Sequence, residues 1–242
     1  MKIIASDFDG TINYRGVSEA DRNAIKRFRE AGNKFGIVTG RDLEAARWIL
    51  FGDKMEIDFL ITCTGALITD GCGKIVYEDA GEVGEFMKDL TKEAAEFGAW
   101  ALNIVHRTLK YQVDITGAVA YEHGTMKKFN HCNTWLPSEE DAEKFCKHVN
   151  EKYGDKISAC QNGRNVDMPP YGNSKTTGIY KYASQFDNPK IYTVGDNFND
   201  IPMLKEFDSF AVSNACDEVK KVAKHTCERV CDMIDFILSE DE

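Results

Sequence analysis

The feature that most narrows what this chain can fold into is an order of elements that occurs at both of its ends. Residues 2–8 form a short apolar run that ends in polar groups. Ser18 with Asp21 reads as an N-cap and its acidic partner, after which Ala24, Ile25 and Phe28 share one helical face before Gly32. A second strand at 35–38 runs into Thr39-Gly40, a helical stretch follows at 41–50, and 59–63 is a third apolar strand. Strand, helix, strand, helix and strand joined by short connections predict a parallel sheet covered by helices. After Pro169-Pro170-Tyr171-Gly172 the order resumes, with a helix at 174–186, a buried strand at 191–195, a short helix at 199–207, a strand at 210–212 and two terminal helices.

Between these stretches the pattern changes. Residues 66–70, the Gly71-Cys72-Gly73 turn and 74–77 read as strand, turn and strand. Val83, Phe86, Leu90, Ala94 and Phe97 share the face of one helix. Ala142, Phe145, Cys146, Val149 and Tyr153 share that of another, opened by Ser138. Strand-like pieces at 101–106, 110–115, 157–161 and 165–168 accompany them. The expected fold is therefore α/β: a doubly wound, mainly parallel Rossmann-like sheet from residues 1–72 and 171–242, interrupted by an α+β module at 73–170.

Composition excludes several partners. Forty acidic against thirty basic side chains give a net charge of −10, which argues against nucleic acid and against an anionic membrane face. No apolar stretch approaches the roughly 20 residues of a membrane span. The opening MKIIASDFDG reads as mature protein rather than a secretory signal. Eight scattered cysteines without a C-x-x-C pair are expected to be reduced thiols of a cytoplasmic protein. His225, Cys227 and Cys231 cluster loosely but lack a zinc spacing.

The chemistry lies where apolar strands end, because the carboxyl ends of parallel strands converge on one crevice. Four such places carry unusual polar groups: Asp7-Phe8-Asp9-Gly10-Thr11, Thr39-Gly40-Arg41, Asn173-Ser174-Lys175 and Gly195-Asp196-Asn197-Phe198-Asn199-Asp200. Taken singly, each fits a turn or a helix cap. Taken together they make a phosphoryl-transfer site. Gathered carboxylates need a cation, and an oxygen-only donor set favours Mg²⁺. One carboxylate can attack phosphorus and a second can serve as acid and base, while a Thr hydroxyl, backbone amides and a Lys hold the transferring oxygens.

These residues, in this order, resemble the haloacid-dehalogenase-like hydrolase superfamily. DFDGTI matches its first motif, IVTGR the second, Lys175 the third and GDNFND the fourth. The inserted module resembles a C2-type cap, and GDNFNDIPML is similar to the Cof-like branch of sugar phosphatases. The resemblance implies Asp7 as nucleophile and metal ligand, and Asp9 as general acid/base with its main-chain carbonyl on the metal. It implies Asp196 as the other direct ligand and Asp200 as the group orienting metal-bound water or Lys175. Thr39, Gly40 and Lys175 would hold the phosphate, Asn199 would face it or the substrate, and Thr11 would bond near Asp9. An Asn-Gly pair usual after the third strand is replaced by Thr64-Gly65, and Asn214 is a weaker site candidate.

The function expected is a Mg²⁺-dependent phosphatase of small phosphorylated metabolites, sugar phosphates first, acting as a monomer or dimer. A phosphomutase or a phospho-accepting signalling module are the alternatives. In the cap, His106, Arg107, His123, His131, Arg164 and Tyr171 are candidates for facing substrate, and Trp100 and Trp135 are expected in the cap core.

Overall fold

The computed structural model describes residues 1–51, 55–114 and 126–240. The chain opens with β1 (Lys2–Ser6), α1 (Glu19–Glu30), β2 (Lys34–Val38), α2 (Leu43–Phe51) and β3 (Phe59–Thr62). A tight turn at Cys63–Gly65 leads into the hairpin of β4 (Leu67–Asp70) and β5 (Ile75–Glu78). Then come β6 (Gly81–Glu82), α3 (Phe86–Glu96), β7 (Ala101–His106), β8 (Leu109–Asp114), β9 (Lys128–Phe129) and β10 (His131–Trp135). α4 (Glu139–Tyr153), β11 (Cys160–Asn162) and β12 (Asn165–Met168) complete the middle. The last third holds α5 (Lys175–Ala183), β13 (Lys190–Gly195), a 3₁₀ turn at Phe198–Asp200, α6 (Ile201–Glu206) and β14 (Asp208–Val212). α7 (Asp217–Val222), β15 (His225–Cys227) and α8 (Val230–Ser239) follow.

Eight strands form the large sheet in the order β15-β14-β13-β1-β2-β3-β4-β5. The strands from β15 through β3 run parallel, and β4 and β5 add an antiparallel edge. A strand buried on both faces has no need of alternation, which is why β1 reads as the continuous apolar run Ile3-Ile4-Ala5. Ser18 caps α1 as expected: its hydroxyl accepts from the Asp21 amide and the Asp21 carboxylate accepts from the Ser18 amide. Ser138 caps α4 in the same way, accepting from the Asp141 amide.

The boundary drawn at residue 73 falls inside the β4–β5 hairpin. Asp70 Oδ1 accepts from the amides of Cys72 and Lys74, closing the turn so that β5 continues the large sheet. Four strands were not anticipated: the two-residue β6 and β9, and β10 and β15. Ile115, placed in a strand, and His123 lie outside the described residues.

The second sheet has the order β11-β12-β10-β7-β8, antiparallel throughout. Its Leu102, Ile104, Cys132, Val166 and Met168 pack with α3 and α4 around Phe145 in a core separate from that of the large sheet. The opposite face carries Asn103, Asn133 and Asp167 in register across three strands. The two connections between the sheets are tied together, since Asn173 Nδ2 donates to Asp79 Oδ2 at 2.9 Å and Lys181 Nζ donates to Asn173 Oδ1 at 2.7 Å. All eight cysteines are free, and among the described residues no helix is long and apolar enough to cross a membrane.

Candidate active site

The strand order reverses at β1, with β2 on one side and β13 on the other, so the crevice opens at the carboxyl ends of these three strands. Asp7 follows β1, Thr39 follows β2, and Asp196 follows β13. Lys175 is the first residue of α5, whose N-terminus is fixed by the Ser174–Thr177 capping box. That helix comes close because glycines meet there: a Cβ on Gly65, at φ +99°, would lie 2.1 Å from Ser174 O, and one on Gly178 would lie 2.8 Å from Gly65 Cα.

A buried lysine at a helix N-terminus is placed against the helix dipole and needs anions to hold it. Lys175, only 3% exposed, has two. Its Nζ donates to Asp7 Oδ1 and to Asp200 Oδ1, each at 2.6 Å. Burial works against the ammonium, but Asp200 and then Asp7 outweigh it and keep its pKa above the ordinary lysine value. Asp200 Oδ2 accepts from the amides of Asp196 and Asn197 at 3.0 and 3.2 Å, so this fully buried carboxylate fixes both the lysine and the loop after β13. Asp196 Oδ1 accepts from Thr11 Oγ1 at 2.8 Å; the threonine bonds there and not beside Asp9 as expected. Gly10, at φ +83°, leaves no room for a side chain, since a Cβ would lie 2.3 Å from Asp196 Oδ2.

Carboxylate oxygens of Asp7, Asp196 and Asp200 lie within 4.8 Å of one another, the one grouping among the described residues compact enough to hold a cation. Burial, together with Asp200 and Asp196, pushes the Asp7 carboxyl well above the usual range despite Lys175. Burial and then Asp200 raise Asp196 to about 6. Three mutually repelling carboxylates with one ammonium between them suit a hard divalent cation, which the donor set, free of thiolate and imidazole, also favours. The Asp9 carboxylate stands apart from this group. Both its oxygens accept from Arg41, Nε and Nη2, at 2.7 Å.

These groups floor a cavity of about 580 Å³, lined from the large sheet by Asp7, Asp9, Thr39, Gly40, Asp196 and Asn199 among others. Thr39 Oγ1 accepts from the Arg41 amide at 3.2 Å, which leaves its own hydrogen to give. Thr64 sits behind Gly40, buried, at φ +53° and with its hydroxyl unpartnered. Asn214 supports the floor by donating to Gly10 O at 2.7 Å.

The roof comes from the second sheet: Asn133, Trp135, Asn162, Asn165 and Asp167. None of these was singled out from the sequence for this role, although the alternation of 165 and 167, and of 133 and 135, on short strands is a signal that could have found them. The expected cap residues are elsewhere. His131 is fully buried beside Asp167. His106 and Arg107 both pair with Glu78. Arg164 lines a separate groove with Trp100 and Pro137, and Tyr171 is exposed away from the cavity. Trp100 and Trp135, expected in the cap core, are 56% and 49% exposed, with Trp135 at the cavity edge.

Comparison with known proteins places this geometry. The sequence model of the family described as haloacid dehalogenase-like hydrolase matches residues 4–233. A 5-amino-6-(5-phospho-D-ribitylamino)uracil phosphatase of Bacillus subtilis (strain 168), YcsE, is 27% identical over 233 residues, covering 93% of this chain and 89% of its own length. The pyridoxal phosphate phosphatase YbhA of Escherichia coli (strain K12) is 27% identical over 251 residues, covering 90% of each chain. Among solved structures, SMU.1108c of Streptococcus mutans UA159 superimposes with a TM-score of 0.84 at 19% identity, over 99% of both chains.

Proposed function

The chain belongs to the haloacid dehalogenase-like hydrolases, and from that premise we propose that it is a Mg²⁺-dependent phosphatase of small phosphorylated metabolites, sugar phosphates foremost, working in the cytoplasm. The observation that carries this reading is the Asp7–Lys175–Asp200 chain of 2.6 Å contacts beside Asp196 at the floor of the roofed cavity. The two phosphatases it resembles support the reaction type.

Asp7 attacks phosphorus through its free carboxylate oxygen, expelling the alcohol and forming an aspartyl-phosphate. Lys175 Nζ has one hydrogen left after Asp7 and Asp200, and it is given to a phosphoryl oxygen together with the Thr39 hydroxyl and the Gly40 amide. Asp9 gives its proton to the departing oxygen and then takes one from the water that hydrolyses the aspartyl-phosphate. In the arrangement seen here its carboxylate is paired with Arg41, so that pair has to open for Asp9 to reach the departing oxygen. Asn199, in the turn after β13, lines the same cavity and would face the transferring group. Asp7, Asp196, Asp200 and the Asp9 carbonyl would hold Mg²⁺, which when bound neutralises charge on the phosphoryl oxygens.

The test is phosphate release from a panel of phosphate monoesters, with EDTA and with Mg²⁺ restored. Hydrolysis that survives EDTA overturns the metal dependence. The raised carboxyls add a pH signature. Asp196 binds its proton up to about 6 in the folded state against an ordinary 3.8, so the metal-free protein loses stability as pH rises through that window. Mg²⁺ takes the place of those protons, so its binding weakens below about pH 6. The rise in Tm on adding Mg²⁺ is therefore expected to be larger at pH 7.5 than at pH 5; equal rises at both would count against the assignment.

A further inference from the structure

The floor of the cavity is built for an anion, whereas the roof is built against one. Asp167 lies on the polar face of the second sheet, 4% exposed, and lines the cavity. Its Oδ1 accepts from Asn165 Nδ2 at 2.7 Å, and His131 Nε2 lies 3.3 Å from the same oxygen. Among the described residues no donor reaches Oδ2, which rests on the Cα of Gly40: a Cβ there would lie 2.6 Å from it. This free carboxylate oxygen therefore stands next to the residue that follows Thr39, at the junction between the phosphate floor and the rest of the cavity.

Its neighbours have the same character. Because Asn165 must turn its NH₂ to the carboxylate, its Oδ1 is the other end of the amide, and that oxygen is buried without a partner. Asn133 accepts from Asn103 Nδ2 at 2.8 Å and keeps its own NH₂ to give. The roof thus offers two unpaired acceptors and the amide NH₂ groups of Asn133 and Asn162, and none of its described lining residues is cationic. Arg41 stays on the floor side, its guanidinium 5.7 Å from the ring centres of Phe8 and Trp48. Buried acceptors left without donors are costly, and a substrate group that supplies hydrogens relieves them. A second anion at the same place would meet Asp167 at close range, and the one cationic side chain among the described lining residues, Arg41, is already paired with Asp9.

We propose that Asp167 is a specificity-determining residue that admits phosphate monoesters whose leaving group presents hydroxyl hydrogens and turns away those whose leaving group carries a carboxylate or a second phosphate. The inference rests on the phosphatase reading and narrows it, and it sets the site against bisphosphates, which a phosphomutase would need.

Sorbitol 6-phosphate and 6-phosphogluconate test it, since they differ only in a terminal CH₂OH against a carboxylate. The wild-type protein is expected to favour sorbitol 6-phosphate in kcat/KM by at least about tenfold, and fructose 1-phosphate over fructose 1,6-bisphosphate likewise. Asp167→Asn keeps the shape and the bond to Asn165, and it is expected to shrink the first ratio at least about tenfold, mainly through a lower KM for 6-phosphogluconate. The wild-type ratios decide the matter even if that variant fails to fold. Wild-type hydrolysis of p-nitrophenyl phosphate separates the two levels of the argument. With that activity present, equal kcat/KM for the paired esters, or a ratio unmoved in Asp167→Asn, overturns the role of Asp167 alone. Inactivity toward every ester overturns both readings.

Discussion

Asp7→Asn is expected to cut Mg²⁺-dependent phosphate release by at least about a thousandfold, because it removes the proposed nucleophile. The fold should survive. The substitution is isosteric, and Lys175 retains Asp200 at 2.6 Å, so the buried ammonium keeps a carboxylate partner. The Asp7 carboxyl, moreover, is pushed up by burial and by Asp200 and Asp196, which means that its ionised form opposes folding near neutral pH in the metal-free protein. Melting followed by circular dichroism in EDTA should give a Tm equal to that of the wild type or higher. Release within tenfold of the wild-type rate would rule out the aspartyl-phosphate route.

Lys175→Met has the opposite balance, losing both activity and stability. The lysine is the cation between two carboxylates that are buried almost completely. Removing one partner of a buried ion pair leaves uncompensated charge, at a cost of about 3–5 kcal/mol, or on the order of 10 °C in Tm for a chain of this size. Phosphate release is expected to fall by roughly a hundredfold or more, since the proposed donor to the transferring oxygens is lost. The two effects part under Mg²⁺. A cation among Asp7, Asp196 and Asp200 restores counter-charge, so Mg²⁺ should raise the Tm of the variant more than that of the wild type without returning its activity. An unchanged Tm in EDTA would show that the Asp7–Lys175–Asp200 contacts do not hold the site together.

The floor of the site was legible because each part is signalled within a few residues. Apolar runs mark β1, β2, β3 and β13, Ser18 and Ser174 mark the helix starts, and the polar clusters sit directly at the strand ends. The roof was not legible. β10, written His-Cys-Asn-Thr-Trp, carries a core residue on one face and cavity residues on the other, so its polarity hides the strand. Asn165 and Asp167 lie on a strand expected at 165–168, but only the pairing of β12 with β10 turns them toward the crevice. The allegiance of β5 is equally non-local: a hairpin strand can add to either sheet, and only the Asp70 turn and the register with β4 decide. β15, with exposed His225 and Thr226, has too little apolar content to be recognised without β14 beside it. The pairing of Arg41 with Asp9 likewise joins two motifs that lie far apart in the chain.

The central position of β1 also bears on how the chain reaches this state. β1 is flanked by β2, which follows it closely, and by β13, which lies in the last third of the chain, and the Thr11–Asp196 bond spans 185 positions. Nothing on the β13 side can form until that distant segment arrives, and the entropy of closing so long a loop grows with its length. The second sheet shortens the problem. Its strands pair with near neighbours around a core of their own, so once it has folded, the free chain left to close is little more than the two connections joined by Asp79 and Asn173. The element that roofs the finished site is thus also the one that brings its two halves within reach of each other.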